Sequence, residues 1–186
     1  FTALPEEQRC YPLFLVDVGG GSTEIIFQAT AENEPRVVSL PLGAVGLTEE
    51  FTADCQSMRG KIRAILAPAL RSIAEGDVAG QGSLLVVSGG TATTLAALDL
   101  RLASYDAQRV QNYSLTQVAL SRLVDSLTAL TPAERNTLPG LADGRGEIIV
   151  AGALLLQELQ QTLACPVQVS DAGLLEGILV SAATGC

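Results

Sequence analysis

The sequence contains no histidine and no tryptophan, and aromatic residues make up only 4% of it. Without histidine there is no Ser-His or Cys-His nucleophile pair and no histidine-ligated zinc, so acid, base and metal-binding work falls to carboxylates. So few rings cannot build the stacking platform that single-stranded nucleic acid requires. Positive charge is also scarce: 11 lysines and arginines stand against 20 aspartates and glutamates, a net charge of −9. That balance argues against an extended nucleic-acid footprint and sits awkwardly with any polyanionic substrate. Cys10, Cys55, Cys165 and Cys186 are far apart with no CxxC, which speaks against a zinc ribbon or redox dithiol and for reduced, structural thiols. No stretch approaches the roughly 20 uninterrupted apolar residues of a membrane span, and the opening FTALPEEQRC does not read as a signal peptide. A soluble, cytoplasmic chain is expected, with neither nucleic acid nor membrane as partner.

What is present is a hydrophobic fraction of 48% in 186 residues, enough to close a core around one domain. The most informative segment is residues 16–24, VDVGGGSTE. An apolar strand from Leu13 delivers Asp17 to its carboxyl end, where α/β sheets bind ligands. Gly19, Gly20 and Gly21 then offer a backbone free of Cβ atoms, able to adopt positive φ and to bring N–H groups close to an anion. Ser22 and Thr23 add hydroxyl donors. Asp17 and Glu24 cannot lie against bare phosphate, but they make sense with Mg²⁺ or another divalent cation held between them and phosphate oxygens. The alternative is a glycine-rich hairpin turn leading into an ordinary strand, since Glu24-Ile25-Ile26-Phe27 continues in strand-forming residues.

Residues 24–28 and 36–41 read as two further strands around a polar turn at Glu32 to Pro35, completing an antiparallel meander. Residues 41–46 read as a loop. Met58, Ile62, Ile65, Leu66, Leu70 and Ile73 recur at helical spacing and predict a helix from about Gln56 to Ala74, kinked or split at Pro68. Leu84 to Val87 is a continuous apolar run of the kind found in parallel strands covered on both faces. It ends in Ser88-Gly89-Gly90-Thr91, and a helix follows over 92–100. This second glycine turn can present N–H groups and a helix dipole to an anion or polar ligand, or be tight packing and no more. A capped helix is expected from Tyr113–Thr116 to Leu127, a short one from Thr131, a loop over 139–145 and a helix over 147–163. A strand at 167–169 and a last helix over 174–183 complete the chain. Three antiparallel strands followed by βαβ crossovers give an α/β fold, a five-stranded mixed sheet with helices on both faces. That is a ribonuclease H-like lobe, half of the actin-like plan. Residues 1–186 are expected to form this single lobe, with a helical insertion over 101–145.

VDVGGGSTE, followed in order by SLPLGAVGLTEEF, SGGTATTLAAL, NYSLT, TPAERNTLPGLADGRGEIIVAGALLL and SDAGLLEGIL, resembles the exopolyphosphatase and guanosine pentaphosphate phosphohydrolase family of the actin-like ATPase superfamily. The resemblance runs from about Leu15 to Leu179. It implies Mg²⁺-assisted hydrolysis of the terminal phosphoanhydride of polyphosphate, or of the 5′ γ-phosphate of guanosine pentaphosphate. The family's phosphate loop falls on Gly19, Gly20, Gly21, Ser22 and Thr23, with Ser22 as a phosphate contact. Its acidic positions fall on Asp17 and Glu24, both metal-binding candidates, and Glu24 is also the candidate catalytic group that orients the attacking water. The second glycine motif falls on Gly89, Gly90 and Thr91, in a region that receives the nucleoside in nucleotide-dependent members of the superfamily. Arg145 and Glu147 match a charged pair with a structural or cleft-lining role.

The family's N-terminal half carries a first phosphate loop and a general-base glutamate, and this sequence starts after both. The resemblance therefore implies the missing N-terminal lobe as a partner, with self-association through the uncovered cleft face as a further expectation. It also implies an isolated lobe that is incomplete for catalysis. Two other readings stay open. One is a phosphate- or nucleotide-binding assembly module; the other is a lobe of an actin-like sugar or acetate kinase, which the glutamate directly after Ser-Thr disfavours.

Overall fold

A computed structural model describes residues 10–52, 54–74, 83–142 and 144–173. Six strands form one sheet: β1 (Leu13–Val18), β2 (Thr23–Gln28), β3 (Arg36–Leu40), β4 (Leu84–Ser88), β5 (Ser114–Leu115) and β6 (Val167–Val169), in the order β3-β2-β1-β4-β6-β5. β1, β2 and β3 are the antiparallel meander, β4 runs parallel to β1 and β6 parallel to β4, and β5 lies antiparallel on β6. Side chains alternate between the faces of a strand. Phe14, Val16 and Val18 therefore join the main core with Ile25 and Phe27, while Leu13 and Leu15 line up with Asp17 on the other face. Leu85, Val86 and Val87 are all buried, so β4 is covered on both faces, as its unbroken apolar run predicts.

The helices are α1 (Ala44–Phe51), α2 (Cys55–Ile73), α3 (Gly90–Asp99), α4 (Ala107–Val110), α5 (Gln117–Thr128), α6 (Pro132–Arg135) and α7 (Ile149–Leu163). α7 is apolar almost all round and is buried at the centre of the helical layer, touching α1, α2, α3 and α5. Its one carboxylate, Glu158, is 2% exposed and is met by two arginines of α2. Arg59 Nη1 donates to Oε1 at 2.9 Å, and Arg63 donates through Nε to Oε2 at 2.6 Å and through Nη2 to Oε1 at 3.0 Å. A buried carboxylate without such partners would be strongly destabilising. Gln160 Nε2 donates to the Leu115 carbonyl at 2.8 Å and ties the same helix to β5.

The structure departs from the sequence reading at several points. The sheet has six strands, not five, because Ser114–Leu115 pairs with β6 instead of opening the next helix. Thr116 alone caps α5, its Oγ1 accepting from the Ala119 N–H at 3.2 Å. Residues 44–46, read as loop, are the first turn of α1. α2 is unbroken through Pro68, whose ring lies on the exposed side of the helix. α4 had no apolar signal; the Asp106 carboxylate holds it, accepting from the N–H groups of Gln108 and Arg109. Residues 101–145 carry α4, β5, α5 and α6. The helix expected over 174–183 and Cys186 lie outside the described residues. Cys10, Cys55 and Cys165 are free thiols, and burial pushes the Cys165 thiol up to about 11. No described helix is long and apolar enough to cross a membrane.

Candidate functional site

The two glycine turns lie side by side because the strands that deliver them, β1 and β4, are parallel neighbours with Asp17 opposite Ser88. On the other side Asp17 stands opposite Glu24 of β2, and Glu24 opposite Ser39 of β3. Residues in register share a face, so Ser39, Glu24, Asp17 and Ser88 form a polar row across four strands at the carboxyl end of β1. Within it Glu24 is held firmly: its Oε1 accepts from Ser22 Oγ at 2.7 Å and from Ser39 Oγ at 2.8 Å. Oε2 has no donor among the described residues. Asp17 receives no hydrogen bond among them either, and its carboxyl is raised above the usual 3.8, first by burial and second by the charge of Glu24. Two repelling carboxylates with unused oxygens suit a hard cation, although no group of three potential ligands from histidine, cysteine, aspartate and glutamate exists among the described residues.

The first glycine turn closes with the Gly19 N–H donating to the Ser22 carbonyl at 2.9 Å. The Gly19 carbonyl accepts from Ala44, and that of Gly20 from Val45 and Gly46, at 3.0, 2.9 and 3.2 Å. The N–H groups of Gly20, Gly21 and Ser22 find no acceptor among the described residues. None of the three glycines takes a left-handed φ, contrary to the conformational reason read from the sequence. Space explains them better. A Cβ on Gly20 would lie 3.2 Å from Val45 Cγ2, and one on Gly19 would lie 3.1 Å from the Ser22 carbonyl oxygen. Gly21 has nothing within 4 Å of that position, so its outer side is open to a ligand.

Two hydroxyls do not serve as the sequence suggested. Thr23 is fully buried on the core face of β2 and donates to the Leu42 carbonyl at 2.6 Å, so it is a structural tie and not a phosphate contact. Strand alternation explains this, because Thr23 and Glu24 must point to opposite faces. Ser22 lies at the turn, but its hydroxyl proton is committed to Glu24.

In the second turn Gly89 has a φ of +90°, and a Cβ there would fall 2.6 Å from Asp17 Oδ1 and 3.1 Å from the Val18 carbonyl. Only glycine meets both demands. The turn is thus pressed against Asp17. The Arg145 guanidinium lies on Gly90, with Nη2 2.1 Å from where a Cβ would sit, and it makes no hydrogen bond or ion pair among the described residues. Thr91 is turned away into the packing between α3 and α7, where it meets Gly152. Glu147 is exposed. A cavity of about 510 Å³, lined by Gln108, Gln111, Asn112 and Asp171 among others, opens past the carboxyl end of β6.

A family model for the Ppx/GppA phosphatase family matches residues 4–185. The chain belongs to this family. It is 31% identical over 187 residues to Exopolyphosphatase 2 of Mycobacterium tuberculosis (strain CDC 1551 / Oshkosh), an alignment covering 92% of this chain and 56% of that protein. It is likewise 31% identical over 171 residues to Exopolyphosphatase 1 of Mycobacterium bovis (strain ATCC BAA-935 / AF2122/97), covering 89% of this chain and 49% of that one. The chain therefore spans about half the length of the curated relatives it matches. Among solved structures, the Ppx/GppA family member of Aquifex aeolicus superposes with a TM-score of 0.84 at 29% identity, over 99% of this chain and 60% of that one. An exopolyphosphatase from Cytophaga hutchinsonii, at 23% identity and a TM-score of 0.79, shows the fold alone. The fold is the mixed sheet with helices of the actin-like Ppx/GppA proteins, and family membership sets aside the sugar or acetate kinase reading.

Sequence reasoning missed Ser39 and the first turn of α1. Neither has a local signal: Ser39 matters only once β3 is paired in register with β2, and α1 only once it abuts the glycine loop.

Proposed function

We propose that this chain forms one wall of a site that hydrolyses the terminal phosphoanhydride of inorganic polyphosphate. The 5′ phosphate of guanosine pentaphosphate is the chemically equivalent second substrate. The reading is carried by the meeting, at the ends of β1 and β4, of the opposed Asp17–Glu24 pair with Gly20 and Gly21 amides and an Arg145 guanidinium that have no partner among the described residues. The names of the mycobacterial relatives support polyphosphate as the substrate class.

Asp17 and Glu24 suit Mg²⁺ or another divalent cation, which would neutralise charge on the phosphate oxygens as water attacks. The amides of Gly20, Gly21 and Ser22 bind phosphate oxygens, and Arg145 supplies the positive charge that an otherwise acidic lobe lacks. Ser22 and Ser39 hold Glu24 by Oε1, which presents Oε2 to the cation or to the attacking water. The greater length of the relatives supports a second wall from an N-terminal lobe, so the isolated chain binds phosphate without turning it over. A cytoplasmic setting suits the free thiols of Cys10, Cys55 and Cys165.

The test is phosphate release from long-chain polyphosphate by a polypeptide carrying both lobes. Glu24→Gln keeps the size of the side chain and is expected to lower turnover by about 10²–10⁴-fold without lowering the melting temperature. Near wild-type turnover removes Glu24 from the chemistry, and phosphate release by the isolated chain would refute the one-wall reading.

A further inference from the structure

The amino terminus of α1 is already engaged, and what it engages sets the geometry of the glycine loop. A peptide group is planar and trans, so the N–H of each residue points opposite to the carbonyl of the residue before it. Ala44 holds the Gly19 carbonyl at 3.0 Å; Val45 and Gly46 hold that of Gly20 at 2.9 and 3.2 Å. The N–H groups of Gly20 and Gly21 share those two planes and are thereby aimed away from α1. Neither meets an acceptor among the described residues.

This close approach depends on residue 43. A Cβ on Gly43 would fall 2.2 Å from the Gly20 oxygen and 2.4 Å from the carbonyl carbons of Gly20 and Gly21. All three are backbone atoms that cannot step aside without moving the loop. Gly43 itself has φ −136° and ψ 154°, a conformation open to any residue, so space alone demands glycine there.

We infer that Gly43 and the first turn of α1 are the positioning element of the phosphate loop. The helix end grips two loop carbonyls and so aims two adjacent amides outward, away from the helix. A helix amino terminus commonly binds an anion directly; here it acts one step removed, through the peptide planes. Carbonyls that accept hydrogen bonds also polarise their peptide groups, which makes the outward N–H groups better donors. The inference rests on the phosphate-binding reading of the loop.

The test is titration of the chain with tripolyphosphate in Mg²⁺, read in the backbone amide NMR signals of Gly20, Gly21 and Ser22. Three proteins are compared: wild type, Gly43→Ala, and Gly60→Ala, a matched change inside α2 where a Cβ meets nothing within 4 Å. Gly43→Ala is expected to move the unliganded Gly20 and Gly21 signals and to weaken tripolyphosphate binding by about 10-fold or more, and Gly60→Ala to do neither. If Gly43→Ala does not fold, Ala44→Pro takes its place. Proline suits the first helical position and the extended residue before it, and this variant deletes the N–H that holds Gly19. A folded variant with unmoved loop signals and unchanged affinity would overturn the inference. If the wild-type loop amides ignore tripolyphosphate, the phosphate reading fails, while the unliganded shifts still judge whether α1 sets the loop.

Discussion

Asp17 and Glu24 stand directly opposite each other on β1 and β2, a like-charge pairing that weakens a sheet. The folded state holds the Asp17 proton more tightly than the unfolded chain, through burial and the Glu24 charge. The sign of the pH effect follows from that shift. Its favourable contribution is complete below the unfolded value of 3.8 and is lost as pH rises through the raised folded value, so at neutral pH the ionised pair costs stability. Asp17→Asn should therefore raise Tm at pH 7 by up to about 3 °C, from about 0.2–1 kcal/mol of relieved repulsion, with the gain closing as pH falls. Thermal melts across that range decide it, and a lower Tm at neutral pH would count against the assignment. The same variant should lose phosphate release in the two-lobed protein, the usual exchange of activity for stability at a site. At this scale the sequence was informative about residue type and less so about direction. Asp17, Glu24 and the glycines were legible from VDVGGGSTE, but the inward turn of Thr23 and Thr91 and the grip of Ser22 and Ser39 on one carboxylate oxygen depend on strand faces and pairing.

Elements that carry their own periodic signal were readable, and those that exist by virtue of a neighbour were not. α2, α5 and α7 follow their apolar spacing, and β1 to β4 follow their alternating or continuous apolar runs. α1 has a glycine N-cap without a side-chain bond, and its first N–H groups are satisfied 25 or 26 residues back along the chain, by Gly19 and Gly20. β5 is two residues long and is a strand only because β6 is beside it. The packing of α3 on α7 is equally a matter of partners: a Cβ on Gly152 would fall 2.5 Å from Thr91 Cγ2 and 2.6 Å from its Oγ1. Gly152→Ala is expected to cost about 1–3 kcal/mol through overpacking. Thr91→Ala in the same chain should return most of that loss, a coupling readable as non-additivity in a double-mutant cycle of denaturation free energies. Additive effects would mean that the two helices do not meet through this pair. Because α3 begins at Gly90, loosening this contact should also disturb the second glycine turn.

For the whole molecule, the net charge of −9 opposes a polyanionic ligand at long range. Without divalent cations, adding salt should therefore strengthen tripolyphosphate binding by screening that repulsion, the reverse of what a basic phosphate site shows. Calorimetric titration at rising NaCl measures the sign, and weakening with salt would place the dominant field at Arg145 and not in the acidic surface. The sequence by itself determined the fold class, the order of the main elements and the presence of a glycine-rich turn at the carboxyl end of β1. Those depend on local steric freedom, hydrophobic period and residue type, all of which are written along the chain. Only the tertiary structure decided that Arg145 lies on Gly90, that Asp17 touches the second turn, and that α1 aims the loop's amides from behind. Those contacts join segments tens of residues apart, and their geometry is set by strand register and close backbone approach, which no local stretch of sequence contains.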